Sequence, residues 1–171
     1  MFPRRPGTFA EDSVTAAFAV TLAGVCVLLL LARLVVPQLP LAGHSVRLSW
    51  VDAVLLICGV VGLAFHCAAM FYRPLFGGIG PLGPLVDMVN EMNVASIILF
   101  VVPALLVLIG LRRHYRVSLA VLTLSLLVVG VTMYAGTPLN VHLGTIFVAV
   151  VALVGHVALF VIPPWQRAAQ A

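Results

Sequence analysis

Lysine is absent from this chain and acids are scarce: nine arginines stand against five acidic residues, and charged residues of either sign make up only 8% of the 171. Soluble domains carry about a quarter charged residues, so a soluble globular fold is excluded. The arginines sit in short connections and at segment ends and form no basic face, which argues against a nucleic-acid surface. Cysteine is sparse too. Cys26, Cys58 and Cys67 are odd in number, lie inside apolar runs and include no CxxC pair, so neither a disulfide framework nor a zinc site is indicated. GxSxG, HExxH and GxxxxGK[ST] are missing, as is a GxGxxG opening a helix after a strand. Hydrolase and nucleotide chemistry therefore lack support, and any enzymatic role is at most that of an electron-transfer subunit. No paired broken helices mark the two halves, which argues against an inverted-repeat transporter.

What the chain has instead is apolar length. Hydrophobic residues make up 63% of it and the mean hydropathy is +1.23, so the bilayer is the solvent in which it must be read. Five stretches can cross ~30 Å of hydrocarbon: Val14 to Val36, Val51 to Tyr72, Val94 to Leu111, Val117 to Tyr134 and Leu139 to Ile162. The first is too long, with no small-residue cleavage pattern beside it, to be a removed signal peptide. The expected fold is one all-α transmembrane domain over residues 1–171, with spans two to five as a four-helix core and span one peripheral. Pro37 and Pro40, Pro74, the cluster Arg112, Arg113, His114 and Arg116, and Gly136 with Pro138 separate the spans. Pro103 falls inside span three, where a kink is expected. The connection Arg73 to Val86, dense in glycine and proline, is expected to be a turned loop folding over one end as a lid.

Arginines near helix ends stay on the cytoplasmic side. With five spans and the N-terminus outside, Arg33, Arg47, Arg112, Arg113, Arg116 and Arg167 face the cytoplasm, against Arg4, Arg5 and Arg73 outside. The expectation is a multi-pass plasma-membrane protein, N-terminus out and C-terminus in. Trp50 and Trp165 then share the cytoplasmic interface that amphipathic indoles prefer.

Ionisable groups inside a span face the bundle interior or water, which singles out His66, His142 and His156. His44 and His114, beside arginines in connections, are expected to be solvated. His142 and His156 lie ~40° apart on one helix face and ~21 Å apart along it. Small residues, Thr145, Ala149 and Ala152, lie between them, and Cys58, Gly62, His66 and Met70 form a comparable stripe on span two. Small residues beside a histidine let a macrocycle lie against a helix, although they serve plain helix packing as well.

The segment His142, Leu143, Gly144 through Gly155, His156 resembles the histidine-bearing helices of b-type membrane cytochromes, in which two histidines thirteen or fourteen apart each hold a haem. In those proteins the facing helix carries a second pair. Here span two offers His66 alone, with Asp52 fourteen residues earlier, so the resemblance implies one bis-histidine haem b, on His66 and His142 with Gly62 as clearance. Both histidines lie near the outer end, roughly 9 Å and 5 Å in. His156, near the other end without a histidine partner, is expected to bond a backbone carbonyl or a hydroxyl, for instance near Pro103.

Two further readings stay open. Asp87, Met88, Glu91 and Met92, taken as opening span three, gather with Met70, Met133, His66 and His142 at the outer end. Thioether and imidazole donors suit copper, while the alternative is that methionines fill the bundle end and the acids meet a helix dipole. Asn90, Asn93 and Ser96 are expected to hydrogen-bond between helices, the alternative being the wall of a small polar cavity. Finally, all the histidines can be structural, in a cofactor-free accessory or assembly subunit. The expected partners are the lipid bilayer, other membrane subunits and, under the haem reading, a quinone or redox protein.

Overall fold

The computed structural model describes residues 8–36, 38–41, 43–72, 76, 80–91 and 93–165. Their architecture is all-helical: α1 Thr8–Val35, α2 Trp50–Phe71, α3 Gly83–Asn90, α4 Val94–Gly110, α5 Arg116–Tyr134 and α6 Leu139–Phe160. Two short strands, β1 Val46–Arg47 and β2 Val161–Ile162, pair in parallel. The helices are long because their sequences are nearly continuous apolar runs, and they stop where local chemistry offers the backbone another partner. The Ser49 hydroxyl accepts the Asp52 N–H at 3.1 Å to start α2. Asn93 Oδ1 accepts from Ala95 and Ser96 to start α4, a side-chain cap of the kind that satisfies orphan helix donors. Between α5 and α6 the chain passes through Gly136 at φ +63°, a left-handed position that suits glycine.

Four helices, α1 from Val14, α2, α5 and α6, are long and apolar enough to cross a membrane. α4 has 17 residues and reaches that standard only if α3 is counted with it across the break between them. The third expected span is thus a shorter helix preceded by a separate one.

α2 and α4 form the most extensive helix pair, α5 packs on α6, α4 meets α5, and α1 lies on α6. The α2–α4 contact depends on small residues. A Cβ on Gly59 would lie 2.6 Å from the Pro103 carbonyl oxygen, and one on Gly110 would lie 2.8 Å from the Asp52 carbonyl oxygen. Such small residues let the two backbones approach closely. The core runs through Leu56, Phe100, Val107, Leu122, Val129 and Ile146. α1 buries none of its apolar window, which makes it the peripheral helix the sequence suggested.

Two ends follow from the connections. At one, β1 and β2 tie the α1–α2 connection to the residues after α6. Arg33 donates to the Val157 and Ala158 carbonyls at 2.7 and 3.2 Å, Arg47 donates to Pro164 O, and Trp50 and Trp165 lie 6.3 Å apart. Arg112 meets Asp52 at 2.5 Å there. The opposite end carries α3, the start of α6 and the α5–α6 turn.

The expected loop is corrected in its secondary structure: its last residues are helical. Among its described residues, Gly80–Leu82 is a 3-10 turn and α3 begins at Gly83, with Val86 and Val89 buried against Ala69, Phe65, Phe76 and Leu99. Pro84 stands in the first turn of α3, where a missing N–H costs the helix nothing. Arg73 to Leu75 and Gly77 to Ile79 lie outside the described residues. Asp87 and Met88 belong to α3 and not to the start of the third span, and Glu91 caps its end.

Candidate functional site

His66 comes from the inward face of α2 and is 1% exposed. Its Nε2 lies 3.2 Å from the Met133 sulfur on α5, its ring is 5.7 Å from Phe100, and its Nδ1 has no partner. His142, in the first turn of α6, is buried as well. Its Nδ1 lies 2.9 Å from the Thr132 hydroxyl, and its ring is 5.9 Å from Phe71. Thr132 is itself held by Thr145 at 3.0 Å. Thr132 and Met133 are consecutive, so one turn near the end of α5 touches both imidazoles.

The remaining residues singled out in the sequence are less convergent. Met70 packs against the core, Met88 is 42% exposed on α3, and Met92 lies outside the described residues. Gly62 faces Pro103, whose Cγ is 2.6 Å from where a Cβ would stand, so α4 occupies the clearance that a macrocycle would use. Ala149 is buried in the core. Asn90 donates to the Ala69 carbonyl at 3.1 Å and Ser96 to the Val89 carbonyl at 3.1 Å, which is the interhelical bonding expected of that stripe.

At the arginine-rich end two expectations are corrected. His114 is not solvated: it is 5% exposed, because the connection from α4 to α5 has only five residues and tucks beneath the end of α6. His156 is not without a histidine partner, since its ring lies 5.7 Å from that of His114, edge to face. Its Nδ1 meets a hydroxyl, as expected, but that of Ser118 at 2.8 Å, away from Pro103. The Leu111 carbonyl accepts from His114 Nδ1 at 3.3 Å. Burial holds the His114 imidazole below its usual range, opposed by the Leu111 and Val46 carbonyls and by Asp52. The Val46 carbonyl is near the ring without reaching hydrogen-bond geometry, and Nε2 of both His114 and His156 has no partner.

A cavity of about 450 Å³ lies between α1 and the core, walled by apolar side chains that include Phe18, Leu63, Ala149 and Leu153 together with Cys26 and Cys67. The histidines do not line it.

No three of His, Cys, Asp and Glu converge among the described residues. The groupings that do form are smaller and uncharged: imidazole with thioether at one end, and imidazole with imidazole at the other. No protein family, curated protein or solved structure matches the chain.

Proposed function

We propose that the chain crosses the plasma membrane five times and handles copper as Cu(I) at its outer end, with His66, Met133 and His142 as ligands. The observation that carries this reading is the single α5 turn on which Thr132 holds one imidazole and Met133 meets the other. Thioether and imidazole together suit a soft ion. All three ligands are neutral, so a bound Cu(I) leaves a single positive charge in the apolar bundle, and burying charge there is expensive. Thr132 fixes Nδ1 of His142 and leaves Nε2 to face a metal, the usual way of orienting a ligating imidazole.

The α2–α4 contact supports a count of five crossings. α4 runs beside α2 from Asp52 opposite Gly110 to His66 opposite Phe100, so a membrane crossed by α2 is crossed by α4. Seventeen residues reach ~26 Å, the short end of the spanning range. Arg33, Arg47, Arg112, Arg113 and Arg116 share one end, which the positive-inside rule assigns to the cytoplasm. The His66 end is then outside.

A b-type haem on His66 and His142 is the second reading. It is favoured by the pairing of His114 with His156, which gives one of the two histidines of α6 a buried histidine neighbour. Metal analysis and a visible spectrum of the detergent-purified protein separate the two. Copper lost on His66→Ala and on Met133→Leu supports the first reading, sharp reduced b-type bands support the second, and a colourless, metal-free protein leaves an accessory subunit.

A further inference from the structure

α1 is tied to the bundle near both of its ends. Close to its start the Tyr72 hydroxyl donates to the Thr15 carbonyl at 2.6 Å, and in its last turn Arg33 donates to the Val157 and Ala158 carbonyls. About 27 Å of helix separates the two ties. Between them α1 packs on α6, with no comparable packing on α2 among the described residues, and it buries none of its apolar window. The cavity of about 450 Å³ occupies the angle left between these helices: residues 18–26 of α1, 60–72 of α2 and 146–154 of α6 contribute its walls. Ala19 and Ala23 on α1 and Ala64 and Ala68 on α2 are among them, so a lack of side-chain bulk keeps it open. No charged side chain and no imidazole lines it, and the Tyr72 hydroxyl is already spent on Thr15. A water needs two to four polar partners, which these walls do not supply. An empty cavity would leave the lining side chains without contacts on one side.

We propose that this slot holds one acyl chain of a membrane phospholipid as a resident lipid, drawn from the leaflet on the His66 side and filling the space between α1 and α2. Size supports a single chain. An apolar cavity of ~150 Å³ takes one benzene, so about 450 Å³ takes on the order of eighteen carbons. Length and depth agree with that. The wall on α2 runs ~18 Å from Val60 to Tyr72, from the middle of the helix to its His66 end, and one leaflet supplies ~15 Å of hydrocarbon. A quinone ring or a charged headgroup would find no hydrogen-bond partner inside, and burying polar groups without one is costly. The chain therefore enters alone and the headgroup stays at the end of the bundle. The slot rests on the membrane-spanning reading of this protein and is independent of the copper site.

The test uses the full-length protein. Its membranes are washed with carbonate, the protein is purified and exchanged through fresh dodecyl maltoside, and bound lipid is read by native mass spectrometry and by extraction. Wild type is expected to keep one phospholipid per chain. Ala64→Phe/Ala68→Phe, which fills the slot, should lose it, whereas Leu105→Phe on the exposed face of α4 should retain it. A second measurement needs no variant: wild type stripped of lipid and reloaded with a phosphatidylglycerol bearing a diazirine on one acyl chain should be photolabelled within residues 18–26 and 60–72. Release of the protein by carbonate overturns the spanning reading and the slot with it. A protein that stays in the membrane overturns the slot alone if it keeps no phospholipid, keeps a prenyl quinone instead, keeps phospholipid equally in the filled variant, or is photolabelled only on exposed faces such as that of α5.

Discussion

Gly59→Ala measures how much of the stability rests on the α2–α4 contact. The new methyl would stand 2.6 Å from the Pro103 carbonyl oxygen, 2.7 Å from Val107 Cγ2 and 2.8 Å from Val107 N. Two of those three atoms are backbone, so no rotamer change relieves the overlap. Restoring ordinary contact at 3.4 Å means parting the helices locally by about 0.8 Å, the difference between the two distances. Overpacking of this kind costs ~1–3 kcal/mol. Alanine also favours a helix over glycine by ~1 kcal/mol, which would mask part of the loss. Gly144→Ala is the matched control, because nothing lies within 4 Å of its added Cβ and it receives the same helical gain. The difference between the two variants is therefore the overpacking alone, equivalent to a Tm gap of about 2–12 °C at ~2–4 °C per kcal/mol. Thermal unfolding in one detergent, followed by near-ultraviolet circular dichroism, reads it. If Gly59→Ala melts with Gly144→Ala, α2 and α4 do not meet at this residue and the inward placement of His66 loses its support.

Thr132→Val frees His142 Nδ1 while nearly preserving volume. Copper affinity should fall 10- to 100-fold, and an unchanged affinity in a Cu(I) competition assay would remove His142 from the ligand set. The His114 imidazole is held below its usual value of 6.5 by burial, so below that pH the unfolded chain takes the proton first and stability falls as the pH drops. His114→Gln should flatten this slope between pH 7.5 and 5.5, and an identical slope in parent and variant would contradict the burial. For sidedness, cysteines at Tyr115 and Ala135, both exposed, in a background without the native thiols should be labelled from the cytoplasm and from outside respectively. External labelling of Tyr115→Cys would invert the orientation.

The long helices were legible because a run of about twenty apolar residues has few alternatives to a helix. Their inward faces were less so, since a stripe such as Cys58, Gly62, His66, Met70 fits a cofactor and a packed helix equally well. Only the position of Pro103 against Gly62 distinguishes the two uses. α3 was hidden by its own start, where Gly83 and Pro84 read as a turn although proline also opens helices. The i, i+3 spacing of buried Val86 and Val89 was the available signal. His114 was misread because its neighbours are arginines. Its burial comes from tertiary docking of the β1–β2 segment and the end of α6, and the brevity of the connection was the only local hint. The pairing of Thr132 with His142 depends on how α5 is rotated against α6, which periodicity does not specify.

The central claim, a soft-metal site at the outer end, is tested most directly by X-ray absorption at the copper edge on the purified wild-type protein and on Met133→Leu, both loaded with Cu(I). Loss of a sulfur shell on going from wild type to Met133→Leu, with folding intact by circular dichroism, is the predicted result. Identical copper spectra without sulfur in either protein, or no copper retained by wild type after loading, would contradict it.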